Sequence, residues 1–335
     1  MRAVFLEEFG GDLKIQEVDK PSPGRGEVLV KIIRTGVCYR DILTVDGFFP
    51  RAKLPLILGH EIAGIVEEVG GDVEDVSVGD TVVSLPYVPC GECQYCRSGR
   101  ENICINRRWY GEVLDGSYSE YILLDKRSIV KVEGEVDWNY LAISACVIGM
   151  LIHAIEDFGG IGDGSKVLVT GASGGVGIHA IQISKIYGAD VIAVTSSEDK
   201  VKFIESVSPD HIIVSKGDFS RDVKELTGGV DLVLETVGGP TFKNSLKSLK
   251  WGGRLALIGN VTVESPSLQL GLMILRENLI HGVISSTRRT LMKAIDYGLR
   301  GLVKAIGQEM SLWNIGEAHR ILREGRSRGR VFLKP

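Results

Sequence analysis

Apolar positions along this chain follow two periods, and the change between them divides it. Over residues 1–36, short β-type runs at 3–6, 13–17 and 28–34 are separated by Pro21, Pro23, Gly24 and Gly26, and strand-and-turn runs recur at 58–66 and 78–83. Frequent short strands with glycine turns predict a β-rich first part. From residue 166 the pattern becomes buried strand, helix, buried strand. An apolar, β-branched run at 167–170 breaks at a glycine cluster, and a 3.6-residue period then runs through Val176, Ile178, Ala180, Ile181, Ile183 and Ile186. Gly188 stands where a helix C-terminal glycine belongs, and 191–194 reads as the next strand. Strands at 211–214, 230–234, 254–258 and 279–284, with helices at 219–226 and 241–249, extend this into a six-stranded, doubly wound parallel sheet. A helix over 288–302 and a strand at 329–333, expected to rejoin the first part, close the chain.

The glycine cluster gives that sheet a chemistry. Gly171, Ala172, Ser173, Gly174, Gly175, Val176 and Gly177 lie between a strand and a helix, the layout that aims a helix N-terminus at a phosphate. Ala172 stands at the first glycine of G-x-G-x-x-G, so the motif is imperfect, but its strand–helix–strand setting favours dinucleotide binding over an ordinary loop. About 20 residues on, an NAD site usually offers Asp or Glu to the ribose. Here the second strand ends in Thr195, Ser196 and Ser197, with Lys200 one turn later, which favours NADP(H) while leaving NAD(H) open. Turns at strand ends, 235–239 with Glu235, Thr236 and Val237, and 259–261 with Gly259, Asn260 and Val261, are expected to line the cofactor crevice.

Bulk properties narrow the partners. The 335 residues, 44% of them hydrophobic, suffice for two cores, and a net charge of −4 argues against nucleic acid or a membrane surface. No apolar run is expected to reach the ~18 residues of a spanning helix, and the N-terminus does not read as a signal sequence, so a cytoplasmic protein is expected. In that setting the six cysteines read as metal ligands or core thiols rather than disulfides.

Four of them, Cys90, Cys93, Cys96 and Cys104, crowd into 15 positions on a polar loop (the lobe 88–106) and suit a closed, all-thiolate tetrahedral zinc site. Such a site staples a loop and does no chemistry. Cys38, His60 (followed by Glu61) and Cys146 supply two thiolates and an imidazole with a fourth position open, a catalytic zinc arrangement. Taken singly, Cys146 reads as a buried core cysteine; His153, His179, His211, His281 and His319 read as structural or surface residues.

Together, G-V-C-x-x-D at 36–41, G-H-E-x-x-G at 59–64, the C-x2-C-x2-C-x7-C lobe, Cys146 and the glycine turn resemble the zinc-containing medium-chain alcohol dehydrogenase family over nearly the whole chain. The resemblance implies a GroES-like β-rich catalytic domain (1–148 with 287–335) and an inserted Rossmann NAD(P)-binding domain (149–286). It implies two zinc ions per subunit, one catalytic and one structural, and a homodimer or homotetramer whose nucleotide-domain sheets meet edge to edge. It assigns Cys38, His60 and Cys146 to the catalytic zinc, with water, substrate or Glu61 in fourth place, and Asp41 to orienting His60. One position departs. The family's alcohol dehydrogenases usually carry Ser or Thr two residues after the first cysteine ligand, as a proton relay, and this chain has Arg40, which cannot relay a proton as a hydroxyl does. Arg40 suits a salt bridge to a nearby acid, or the capture of a substrate carboxylate or phosphate.

The leading reading is a zinc-dependent oxidoreductase transferring hydride between NADP(H), or NAD(H), and an alcohol, aldehyde or ketone. The alternative is an NADPH-dependent reductase of activated C=C bonds, of enoyl thioester or quinone type, since the Arg40–Asp41 pair and the glycine turn resemble that branch of the family, although the branch generally lacks both zinc sites. A zinc-ribbon binding protein using Arg97, Arg100, Arg107 and Arg108 is the reading from another class, and the acidic chain and nucleotide-binding pattern oppose it. The substrate pocket is expected among the loops 38–49, 107–113 and 261–271, with Phe48, Phe49, Trp109 and Tyr110 as a bulky apolar wall.

Overall fold

The computed structural model describes residues 1–262 and 265–335. The chain divides into two compact units, Met1–Gly149 with Ser285–Pro335, and Met150–Ile284.

In the first unit the ten-residue strand Glu27–Gly36 is the hub. It pairs antiparallel with Ile62–Val69, Tyr121–Asp125 and the C-terminal strand Arg330–Lys334. The last pairing sets Phe332 opposite Gly36 and Leu333 opposite Thr35. Alternate residues of the hub, Val28, Val30 and Ile32, point into one core with Ile62, Val66, Val82, Ile122 and Leu124. A second core gathers Val4, Leu6, Leu58, Tyr118, Leu312, Val331 and Leu333. Each such fully buried side chain contributes on the order of 1.5–3 kcal/mol, so the metal-ligand loops between these strands are carried on a stiff frame.

The second unit is an all-parallel six-stranded sheet in the order His211–Val214, Asp190–Thr195, Lys166–Val169, Val230–Glu235, Leu249–Leu257, Leu279–Gly282. This is the doubly wound order, with its reversal beside the first strand. The central strands are buried on both faces, which explains their continuous apolar runs. The fifth strand begins at Leu249 rather than 254, because Gly252 and Gly253 form an irregularity in the pairing between Val230 and Leu232 and not a turn. Two short helices, Val201–Glu205 and Leu270–Arg276, have no clear apolar period in the sequence. Of the expected pocket loop 261–271, Val263 and Glu264 lie outside the described residues.

One expectation is corrected. The helix Trp138–Gly159 is, by length and composition (mean hydropathy 1.7), apolar enough to cross a membrane. Its apolar window is 78% buried within the protein, which is the mark of a core helix. One wide π turn, Ser144–Gly149, interrupts it and carries Cys146, and a second, Ala154–Gly159, ends it. Such turns re-aim side chains at functional positions.

Candidate metal and cofactor sites

Cys38 follows the exit of the hub strand and precedes the helix Tyr39–Val45, so its backbone N–H is one that the helix leaves unpaired. Asp41 Oδ2 accepts that N–H at 3.0 Å and also the hydroxyl of Tyr118 at 2.9 Å. Its other oxygen stands 3.0 Å from His60 Nδ1. Accepting from Nδ1–H, Asp41 makes Nε2 the lone-pair nitrogen whenever the His60 ring is neutral, and Nε2 lies 3.5 Å from Cys146 Sγ. Gly59 permits this approach. Its φ of +92° is left-handed, and a Cβ there would stand 2.5 Å from the Tyr118 ring.

One ligand atom from each of Cys38, His60, Glu61 and Cys146 falls within 4.8 Å of the others. The two thiols are hydrogen-bonded to each other. Hydrogen bonding from Cys146, which outweighs burial, holds Cys38 well below the usual thiol range, while that bond and burial push Cys146 well above it. Burial pulls His60 down, but Asp41 and Cys38 outweigh it and hold the imidazole up at about 9. A thiolate, an imidazole and a second thiol facing one point form a donor set that fits zinc, which would displace these protons. Glu61 is otherwise engaged: Arg330 Nε donates to Oε2 at 3.0 Å and Nη2 to Oε1, with the two side chains 6% and 0% exposed.

The second cluster fits zinc equally well. A tetrahedron with Zn–S near 2.3 Å requires S···S separations of about 3.8 Å, and Cys90–Cys96 and Cys93–Cys96 are 3.9 and 3.6 Å apart. Backbone N–H groups of Cys93 and Cys90 point at the sulfurs of Cys90 and Cys104, each at 3.4 Å. Donation from the Cys96 backbone leads in lowering Cys93 to about 6, whereas burial pushes Cys96 up to about 12.

Arg40 meets the acid expected for it. It is ion-paired with the buried Glu112, and its guanidinium lies 4.0 Å from the ring of Phe49 and 4.7 Å from that of Trp109. The apolar wall is thus partly corrected. Tyr110 turns inward, its hydroxyl 3.0 Å from Ser128 Oγ and from the Asp125 N–H, while Phe48 is exposed.

In the second unit the glycine turn runs from the end of Lys166–Val169 into the helix Gly177–Ile186. Ala172 is fully buried, its N–H bonded to Val194 O at 3.0 Å, and Gly174 N–H bonds Gly171 O at 2.9 Å. A Cβ at Gly177 would stand 2.2 Å from Gly171 O, so only glycine lets helix and turn close to this distance. Ser173, Gly175 and Val176 complete the turn, and His179 Nδ1 holds Gly175 O at 2.7 Å. The turns bearing Thr236, Val237, Gly259, Asn260 and Val261 sit beside it. Thr236 Oγ1 bonds Thr170 O at 2.7 Å, and Val261 N–H bonds Val237 O at 2.9 Å.

The structure adds roles that the sequence did not disclose. Glu235, fully buried, accepts from Thr170, Thr241, Ser245 and the Val237 and Gly238 N–H groups, locking the turn. Its signal was a charge ending an apolar strand; Arg330 stands at the head of another, and Tyr118 and Glu112 gave no signal. The cofactor edge also differs from expectation. Thr195 is buried, and the turn Glu198–Lys200 folds Asp199 back onto Ser197 Oγ, so a carboxylate does stand there beside Ser196 and Lys200.

Comparison with known proteins agrees with both halves. Residues 24–134 match the alcohol dehydrogenase GroES-like domain, and residues 175–298 match the zinc-binding dehydrogenase domain. The chain is 42% identical to acryloyl-coenzyme A reductase of Sulfurisphaera tokodaii, over the whole of both chains. It is 34% identical to an alcohol dehydrogenase of Geobacillus stearothermophilus, covering 100% of this chain and 99% of that one. Its structure superposes on the alcohol dehydrogenase of Aeropyrum pernix with a TM-score of 0.93 at 29% identity, over the full length of both. The chain is an oxidoreductase that uses zinc and a nicotinamide cofactor, and it belongs to the zinc-containing medium-chain dehydrogenase/reductase family.

Proposed function

We propose that this chain reduces the C=C bond of a small α,β-unsaturated acyl thioester, of the acryloyl-CoA kind, with hydride from NADPH. The observation that carries the reading is Arg40. Two residues after Cys38, where alcohol chemistry places a relay hydroxyl, stands a cation fixed by Glu112 and two aromatic rings. Full-length identity of 42% to an acryloyl-coenzyme A reductase supports the same choice. The reaction balances without a relay. Hydride carries two electrons from the nicotinamide to the β-carbon, a proton from water reaches the α-carbon, and NADP⁺ and the saturated thioester leave.

Cys38, His60 and Cys146 are the residues we assign to a zinc ion, which when bound supplies Lewis-acid polarisation of a carbonyl oxygen. Asp41 fixes the His60 ring and tautomer, and Tyr118 fixes Asp41. Arg330 holds Glu61 as a satisfied carboxylate, which weakens it as a competitor for the fourth place. Cys90, Cys93, Cys96 and Cys104 are assigned a structural zinc. The glycine turn 171–177 is assigned the pyrophosphate, with Ser196, Ser197 and Lys200 favouring the 2′-phosphate of NADPH and Asp199 opposing it. The exposed apolar residues Leu270, Ile274 and Leu275 beside the edge strand Leu279–Gly282 support a homo-oligomer.

The second reading, an alcohol dehydrogenase, rests on the same ligand set and on the 34% relative. Zinc-loaded protein assayed for NADPH and NADH oxidation with acryloyl-CoA, and with short aldehydes, separates the two. We expect kcat/KM for the thioester to exceed that for any aldehyde by about a hundredfold or more. The reverse order overturns the proposal.

A further inference from the structure

Around Glu112 the chain gathers three guanidinium groups against one carboxylate. Arg40 takes Oε2. Arg51 Nε stands 4.0 Å from Oε1, at the outer limit of an ion pair, and its Nη2 donates to Arg107 O at 3.3 Å. Arg107 donates through Nη1 to Cys104 O at 2.8 Å, and its guanidinium lies 5.7 Å from the Trp109 ring that Arg40 also stacks on. Its Nε is buried and has no hydrogen-bond partner among the described residues. Glu112 offsets one of the three cations, leaving an excess of two positive charges and an unpaired donor on the loop that also carries Trp109. Buried donors of this kind are costly until an acceptor reaches them, and paired guanidinium groups match the oxygens of a phosphate.

We propose that Arg51 and Arg107 form an anion subsite, reached from the metal cluster by way of Arg40, that takes a phosphate of the coenzyme A part of the thioester. The inference rests on the enoyl thioester reading and extends it: the reacting acyl group meets the Cys38 end, and the remote, non-reacting phosphate is held at the Arg51 end. Binding energy from such a remote group is what raises kcat/KM for the full substrate over a truncated one.

The test compares acryloyl-CoA with acryloyl-pantetheine, which lacks every phosphate. The readout is the ratio of their kcat/KM values. In the wild type the ratio should favour the CoA ester, and Arg51→Gln should cut it by about tenfold, the loss expected for one charge-assisted hydrogen bond. Arg51→Glu should cut it further. Arg51 is more than half exposed, so neither change endangers the fold; Arg107→Gln, which also loosens the contact with Cys104, is the second variant. A ratio that is unchanged in both Arg51 variants overturns the subsite. If the wild type reduces no thioester, the enoyl reading fails separately, and the subsite is judged by 3′,5′-ADP binding to the protein saturated with NADPH. Binding that weakens about tenfold in Arg51→Gln supports it, and binding equal in both proteins, or absent from the wild type, overturns it.

Discussion

Replacing Arg40 by threonine tests the residue on which the functional reading turns. The substitution restores a hydroxyl where alcohol chemistry places its relay, and it strands Glu112, whose side chain is 6% exposed. Removing one partner of a fully buried ion pair costs about 3–5 kcal/mol. Arg40 is 22% exposed and Arg51 stands 4.0 Å from the carboxylate as a partial substitute, so a cost below that range, about 2–3 kcal/mol, applies here. The two ring contacts, at 4.0 and 4.7 Å, add about 0.5–1 kcal/mol each. The sum, about 3–5 kcal/mol, lowers Tm by roughly 4–7 °C if the chain unfolds as one unit. Neutralising the stranded acid in Arg40→Thr/Glu112→Gln should recover about half of this. Calorimetry on the zinc-loaded protein measures both variants. A single variant within about 0.5 kcal/mol of wild type, or a double variant no better than the single, refutes the account of Glu112 as a buried charge held by Arg40. Kinetics on the double variant complete the test. Alcohol oxidation should rise relative to thioester reduction, and an equal fall in both would show that residue 40 only shapes the loop.

Three further outcomes follow from the same geometry. Arg330→Met leaves Glu61 buried without its partner and should cost about 3–5 kcal/mol; Glu61→Gln/Arg330→Met should recover more than half in urea titrations, and equal midpoints for the two variants would contradict the pairing. Zinc analysis on protein prepared in metal-free buffer should give two ions per chain, falling to one in Cys38→Ser/Cys146→Ser and also to one in Cys104→Ser; one ion in both the wild type and the Cys38→Ser/Cys146→Ser variant would mean that Cys38 and Cys146 are core thiols. His179 and His319 are held neutral, burial pulling each to about 4, against about 6.5 unfolded. The unfolded chain therefore binds more protons between these values, so their contribution is fully present above about pH 6.5 and is lost as pH falls towards 4, at up to about 1.4 kcal/mol per pH unit for each. His319→Phe, which keeps the ring packed on Tyr118, should flatten that slope measurably in denaturant midpoints between these pH values; an unchanged slope would sink the assignment.

What the sequence disclosed and what it hid differ in one physical respect. The parallel sheet, the glycine turn and the four-cysteine lobe are written in periods and spacings of a few residues, and there the local pattern and the fold agree. The partners that complete the sites come from far along the chain. Tyr118 lies 77 residues from Asp41, Glu112 lies 72 from Arg40, and Arg330 lies 269 from Glu61. No period or spacing links such pairs: Arg330–Lys334 pairs with the hub Glu27–Gly36, Tyr118 precedes a strand that does so, and Glu112 lies in the turn after Arg108–Trp109, which pairs with Tyr87–Val88. Asp199 fails for a different reason: its approach to Ser197 depends on one short turn whose direction composition does not set. Yet the motifs did state what was owed. A carboxylate after Cys38 that orients His60 with one oxygen has a second oxygen to satisfy, and an arginine in a buried loop needs an acid. The sequence therefore identifies the atoms that require partners, and the fold supplies them. At Arg107 Nε, beside Arg51, the described residues leave that requirement unmet.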